Sequence, residues 1–289
     1  MAQAPAKMVT SMKPIYLFLL LVTVFSAIGY TVAFKMGDDN RTGGIFLVQF
    51  SPLVAAFITK LVFQHNLRGL GWGWGKTRYQ LAAYGLAFGL PLISFCLVWL
   101  FGFGGFYDVA FITQAQTGIA DSFGQNISAP WGVMLALIVF GATVGLLMAF
   151  GGIGEELGWR GFLVPELYKH FDFTKTSLIS GVIWAVYHWP LLILLLVPRL
   201  GVSPWPMLVI SLIAGIGLST IMAWLRLKSG SVWTAVIFHM ALNTHTQGFF
   251  QNLTIKTSWL TNYISGEHGL MLAIVSASLG YWFWRKRAM

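Results

Sequence analysis

The sequence has 289 residues, of which 57% are hydrophobic and only 9% are charged. Soluble domains carry about 25% charged residues, so this composition excludes an ordinary soluble protein and predicts a membrane protein. The net charge of +9 is divided among short segments, which favours a role in membrane topology over nucleic-acid binding. The single cysteine, Cys96, excludes an intramolecular disulfide and a cysteine-rich metal site.

Apolar runs long enough to cross a bilayer, about 20 residues each, recur along the whole chain. The eight runs lie near residues 14–34, 44–63, 80–102, 131–152, 177–197, 205–225, 232–250 and 268–284. We therefore predict an all-α, polytopic membrane protein with about eight transmembrane helices, and we assign residues 1–289 to a single transmembrane domain. The longest connection, 103–130, contains a stretch that is compatible with a short helix on the membrane surface.

Basic residues are distributed unevenly among the connections between these runs. Twelve lie in the two termini and in the loops after the second, fourth and sixth runs, whereas four lie in the alternate loops. Lys60 and Arg160 lie in or beside apolar runs and are not counted. Because cytoplasmic segments are enriched in lysine and arginine, we predict that both termini face the cytoplasm.

A few ionisable side chains lie at membrane depth, where each costs at least about 2.5 kcal/mol near the centre of a helix. They are Glu155, Glu156 and Arg160 at the end of the fourth run, His188 in the fifth, and His239 and His245 in the seventh. Glu155 is expected at the cytoplasmic end of the fourth span. At 1.5 Å per residue, His188 is expected roughly 16 Å from the cytoplasmic end of its span, and His239 roughly 10 Å from the cytoplasmic end of its own. We therefore predict that these three side chains meet in one cavity open to the cytoplasm.

Helical spacing separates the two adjacent glutamates by role. Glu156 and Arg160 are four residues apart, so they share a helix face and are expected to pair. Glu155 is rotated by about 100° from its neighbour and is expected to face the cavity. Of the remaining histidines, His268 lies near the end of a span, and we expect no special role for it.

A carboxylate, two imidazoles and an amide form a set that suits hydrolysis by water. Glu155 and His188 are expected to hold and deprotonate a water molecule, since carboxylates and histidines are the usual general bases. His239 and Asn243 share a helix face and are expected to donate hydrogen bonds to the oxyanion, a role often worth about 10²–10³ in rate per donor. His245 lies about 240° round the helix from His239 and is excluded from the site.

Each of these residues also has a structural interpretation. The Glu156–Arg160 and His239–Asn243 pairs are compatible with polar contacts at helix ends and between helices. His188 is placed to bond the backbone group that the following proline frees. The carboxylate and the histidines also leave a zinc site open, although the chain contains no HExxH sequence.

Three motifs in this order resemble those of a known family. EELGWR (155–160) resembles the EExxxR motif of the CAAX prenyl endopeptidase and bacteriocin-processing family, also called the CPBP or Abi family. WAVYH (184–188) is similar to its FxxxH motif, with Trp184 at the phenylalanine position. HMALN (239–243) resembles its HxxxN motif. The resemblance covers about residues 131–250, the motif-bearing core.

The resemblance implies an intramembrane glutamate endopeptidase that cleaves near the C-terminus of prenylated CAAX-type or other membrane-associated peptides. By motif position, the resemblance assigns water activation to Glu155 and His188. It assigns the oxyanion hole to His239 and Asn243. Glu156 and Arg160 would orient the site. Trp184 and Trp159 are expected to line the substrate pocket.

The same resemblance sets expectations for partners and location. We expect a lipidated or membrane-associated peptide or protein as substrate, with the lipid bilayer around the chain. We expect no nucleic acid and no cofactor, and zinc is left open. A bacterial or archaeal cell membrane is the expected location, with the site opening to the cytoplasm. Two alternatives stay open: a protein of the same fold that processes bacteriocin or leader peptides or confers immunity, and a proton-coupled transporter. The chain lacks the paired halves that many transporters have, which disfavours the second.

Overall fold

The computed structural model describes residues 11–36, 41–124, 127–145 and 150–287. Helices dominate this part of the chain. The α-helices are α1 (Lys13–Lys35), α2 (Arg41–Gln64), α3 (Thr77–Leu100), α4 (Val109–Phe123), α5 (Pro130–Phe140), α6 (Gly151–Glu156), α7 (Val164–His170), α8 (Phe173–Leu191), α9 (Val197–Leu200), α10 (Pro204–Ser229), α11 (Trp233–His245), α12 (Thr261–Ile264) and α13 (Leu270–Arg285). Turns of π-helix occupy Gly141–Gly145, Leu157–Leu163, Leu192–Leu196 and Thr246–Phe250.

Five helical stretches among the described residues are long and apolar enough to cross a membrane: α1, α2, α3, the stretch Phe173–Leu200 and α10. They correspond to the first, second, third, fifth and sixth predicted spans, which confirms an all-α, polytopic membrane protein. The other three predicted spans coincide with shorter helical pieces. These are α5 with its π-helical turn, α11 with the π-helical turn after it, and α13. The count of eight spans therefore stays a prediction, as does the orientation of the termini.

Helical structure does not stop where the fourth span is predicted to end, near residue 152, and that membrane boundary itself stays a prediction. The helical path runs on through α6, the π-helical segment Leu157–Leu163 (hereafter the π segment) and α7 to His170. Hydropathy marks the charged residues as a span end, but Arg160 pairs with Glu156 inside the bundle, so the helix continues. Pro165 is tolerated because it lies in the first turn of α7. Glu155 therefore lies within a helical stretch, roughly 20 Å from its end at 1.5 Å per residue.

Small residues allow the helices that surround the site to approach closely, as is common in membrane bundles. On α10, a Cβ added at Gly217 would meet the backbone of Ala277 on α13 at 2.6 Å. Between α8 and α10, a Cβ at Gly181 would meet Ile216 Cα at 2.7 Å. These contacts hold α10 against the two helices on either side of it.

The long connection after α3 carries elements that hydropathy did not predict in full. The strands β1 (Gly105–Phe106) and β2 (Thr254–Ile255) pair antiparallel, with Gly105 opposite Ile255. Helix α4 lies within the stretch judged compatible with a short helix, and Asp108 caps it by accepting a hydrogen bond from the Phe111 amide at 3.1 Å. The strand pair thereby ties the connection after α3 to the one before α13.

The close approach at Gly217 gives a stability prediction. We expect Gly217→Ala to lower the free energy of unfolding by about 1–3 kcal/mol, because the added methyl group overpacks the α10–α13 contact. Gly85→Ala on α3 is the matched control, since no atom lies within 4 Å of its Cβ position and alanine favours helix. Thermal unfolding in detergent measures both; equal midpoints for the two variants would contradict the packing described here.

Candidate active site

The two adjacent glutamates and the arginine of the first motif are all buried. Glu155 is 4% exposed, and Glu156 and Arg160 are 0% exposed. One guanidinium nitrogen of Arg160 donates to both oxygens of Glu156, at 2.8 and 3.0 Å. Glu156 ends α6, and Arg160 lies in the π segment, a helix type that is frequent at functional sites. A charged pair without access to water needs such direct contacts, because neither group is solvated.

Glu156 also receives a second donor, from the third motif. His239 of α11 is 4% exposed, and its Nδ1 lies 2.9 Å from Glu156 Oε1. A carboxylate without a proton only accepts, so Nδ1 of His239 carries the hydrogen. Sequence spacing predicted the partner Arg160 but not this histidine, because it lies on a different helix. Glu156 thus joins α6, the π segment and α11.

Glu155 contacts the second motif. The indole Nε1–H of Trp184 donates to Glu155 Oε2 at 3.0 Å, and Nε2 of His188 lies 3.6 Å from the same oxygen. The other ring nitrogen of His188, Nδ1, lies 2.8 Å from the carbonyl oxygen of Trp184. Because a carbonyl only accepts, this Nδ1 carries the hydrogen. In the neutral ring, the lone pair of Nε2 therefore faces Glu155.

Trp184 lies at the centre of the aromatic contacts. Its ring centroid is 5.3 Å from that of His188 and 5.6 Å from that of His239. The guanidinium carbon of Arg160 lies over the same ring, 4.6 Å from its centroid, a cation–π geometry. A single tryptophan therefore touches residues of all three motifs.

The remaining residues of the sequence prediction lie around this cluster. Asn243 is partly buried, one turn beyond His239 on α11, and its Oδ1 has no hydrogen-bond partner among the described residues. His245 turns to α3, where its Nε2 lies 2.9 Å from the Tyr84 hydroxyl. Trp159 is 2% exposed and packs on Tyr187 with 5.1 Å between the centroids.

A small cavity adjoins His188 between α8 and α10. Its volume is about 30 Å³, and its lining includes Trp184, His188, Gly215, Glu267 and His268. A buried water needs about 10–15 Å³, so the cavity has room for one or two water molecules. The ring of His268 lies 6.5 Å from that of His188. Helical spacing could not predict this neighbour, since 80 positions separate the two histidines.

Arg226 of α10 supports the π segment and was counted from sequence only as a topology charge. It is 6% exposed; its Nε donates to the Arg160 carbonyl at 3.0 Å and its NH2 to the Gly69 carbonyl at 3.2 Å. This side chain therefore links α10 to the π segment and to the loop after α2. Arg226 thereby holds the backbone of Arg160 in place.

The carboxylates and imidazoles form two pairs, Glu155 with His188 and Glu156 with His239. Within the described ranges, no three histidine, cysteine, aspartate or glutamate side chains are grouped so that they would hold one metal ion. The zinc ligand set left open by the sequence, Glu155 with both histidines, is therefore not gathered in this arrangement.

The fold and this cluster define a helical membrane protein with buried carboxylate–histidine pairs inside its bundle. Residues 131–245 match the family described as type II CAAX prenyl endopeptidase, Rce1-like. A stretch of 129 residues is 25% identical to CAAX prenyl protease 2 of Methanococcus maripaludis and covers 44% of each chain. The chain thus matches less than half the length of this curated relative. The matched segment contains all three motifs, and both similarities support the predicted resemblance to the CPBP family.

The Arg160–Glu156 pair gives a second stability prediction. We expect Arg160→Met to lower the free energy of unfolding by about 3–5 kcal/mol, because it leaves a buried carboxylate with only His239 as partner. The double variant Glu156→Gln/Arg160→Met, which buries no charge at either position, is expected to regain part of this loss. Unfolding midpoints in detergent measure both. A double variant less stable than Arg160→Met would contradict the pairing.

Proposed function

We propose that this chain is an intramembrane endopeptidase that hydrolyses a peptide bond with a water molecule activated by Glu155 and His188. The carrying observation is the geometry of this pair: the carboxylate oxygen and the imidazole nitrogen lie 3.6 Å apart inside the bundle, and each is oriented by Trp184. The family match over residues 131–245 supports the reaction class.

The proposed water activation follows from the two lone pairs that face each other. Glu155 Oε2 and the Nε2 of neutral His188 are both acceptors, so their approach is favourable only with a donor between or beside them. A water molecule supplies two hydrogens and is held by both groups. Either group is then placed to take the proton as the water oxygen attacks the peptide carbonyl. The cavity beside His188 is large enough for such a molecule.

His239 and Asn243 are proposed to stabilise the oxyanion that forms during the attack. The Nδ1–H of His239 is engaged by Glu156, so a donor to substrate must come from Nε2, which requires the imidazolium form. Charge balance favours this form: Glu155, Glu156 and Arg160 together carry one negative charge, and a protonated His239 neutralises it. Asn243, whose side chain lies one turn further along α11, supplies the second donor.

The proposed substrates are prenylated CAAX-type or other membrane-associated peptides that reach the site from the cytoplasm. The name of the archaeal relative, CAAX prenyl protease 2, supports the first class. The basic loops support the orientation, and a bacterial or archaeal cell membrane is the proposed location. The proposed chemistry uses no cofactor.

The central test is proteolysis by the purified chain with a fluorescence-quenched farnesylated CAAX peptide. We expect cleavage by the wild type, a loss of at least about 10²-fold in kcat for Glu155→Gln, since the base is removed, and no effect of a metal chelator. Asp121→Asn changes an exposed carboxylate on α4 and serves as the control with unchanged activity.

Three outcomes would count against parts of this proposal. Activity that survives in Glu155→Gln would remove the glutamate from the mechanism. Cleavage that stops with chelator and returns with zinc would assign the chemistry to a metal. An intact peptide after incubation with wild type would remove prenylated CAAX peptides as substrates, and leader peptides would be tested next.

Trp184 gives a separate prediction because a phenylalanine at this position, as in the family motif, has no N–H. We expect Trp184→Phe to lower kcat by about 10- to 100-fold with a smaller change in KM, since a hydrogen bond to a carboxylate is lost and Glu155 is less well oriented. Trp205→Phe, at an exposed tryptophan of α10, is the control. Full activity in Trp184→Phe would show that the indole hydrogen bond is dispensable.

A further inference from the structure

A second cavity lies away from the active site, where α2 ends. It measures about 410 Å³ and is enclosed by the end of α2, the loop that follows it, the π segment and α7. Six of the eleven lining residues are polar or charged; the lining consists of Lys60, Gln64, Asn66, Arg68, Gly69, Leu70, Gly161, Phe162, Pro165, Glu166 and Lys169. Three cations and one carboxylate therefore face a single space.

The charges in this cavity do not cancel. Lys169 pairs with Glu166 at 2.6 Å. Lys60 is only 5% exposed, and its ammonium donates to the neutral amide of Gln64, which in turn donates to Glu166 at 3.3 Å. Within the described residues, neither Lys60 nor Arg68 has a carboxylate within 4 Å. The cavity thus carries two uncompensated positive charges, one of them buried. A buried charge is costly without a partner, so an anion bound there is expected to be stabilised.

The position of the cavity indicates the source of the anion. It opens at the end of the bundle that the distribution of basic residues predicts to face the cytoplasm. In the loop beside it, Trp72 and Trp74 are 42% and 49% exposed, as expected of aromatic residues at the level of lipid headgroups. Basic pockets between transmembrane helices on this side of a membrane suit anionic headgroups.

We propose that this cavity binds the phosphate group of an anionic phospholipid, with Lys60 at its floor and Arg68 at its rim as the two cationic contacts. The buried ammonium gains an anionic partner, and the exposed guanidinium offers a bidentate contact to phosphate oxygens. Two wall residues, Gly161 and Phe162, belong to the π segment that carries Arg160. A bound headgroup would therefore rest against the same segment that orients the active site, although binding itself does not depend on the proposed protease activity.

The test measures lipid binding by native mass spectrometry of the full chain in detergent, with dioleoyl-phosphatidylglycerol as probe and dioleoyl-phosphatidylcholine as the zwitterionic comparison. We expect saturable binding of the anionic lipid, and a loss of affinity of roughly tenfold or more in Lys60→Met/Arg68→Gln. Lys175→Gln/Arg78→Gln removes two charges from exposed positions outside the cavity and is expected to bind as the wild type does.

Thermal unfolding distinguishes binding of the lipid from binding of free phosphate, and it shows whether a variant is misfolded. Without lipid, Lys60→Met is expected to be as stable as the wild type or more so, because it removes a buried charge; with phosphatidylglycerol only the wild type gains stability. Inorganic phosphate alone is expected to give no comparable gain. The proposal is overturned if free phosphate stabilises the wild type as much as the lipid does. It is also overturned if both double variants lose affinity equally, or if Lys60→Met lowers the midpoint and still binds the lipid.

Discussion

The rest of the site depends on the contacts of one buried carboxylate. Glu156 is fully buried and is held by Arg160 and His239. A negative charge in the interior of a membrane bundle is tolerated only if its partners are close and fixed. Those partners come from two separate helical stretches, so satisfying one charge also sets the position of α11 against α6. Among the described residues, no lysine or arginine lies within hydrogen-bond distance of the neighbouring Glu155, which therefore contacts Trp184 and His188.

Hydropathy predicted the bounds of helices that are expected to cross the lipid and to end in water. The bounds of α1, α2 and α3 lie within three residues of the predicted ones, because apolar runs end where the solvent changes. The same logic fails after residue 152, where a charged pair lies inside the bundle and the helix has no reason to stop. The strands β1 and β2 were out of reach for a different cause: each has two residues, and their pairing joins positions about 150 residues apart.

For the site, spacing along one helix was informative, and contacts between helices were not. The four-residue interval from Glu156 to Arg160 predicted their pairing, since neighbours on one helix face meet regardless of what surrounds them. The hydrogen bond from Trp184 to Glu155 depends on how α8 packs against α6. His268, which comes just before α13, lies beside His188 through the packing of the folded chain. Neither contact has a periodic signature in the sequence.

The π segment also affects how this sequence should be compared with others. The amide of Val164 bonds the carbonyl of Trp159, five residues back, so this turn holds more chain than an α-helical turn does. A helical wheel drawn at 100° per residue through this turn consequently rotates the residues of α7 away from their true position relative to those of α6. A relative with an uninterrupted α-helix here would align with one residue fewer after the first motif. Such a gap would record the geometry of the turn and not the loss of a functional position.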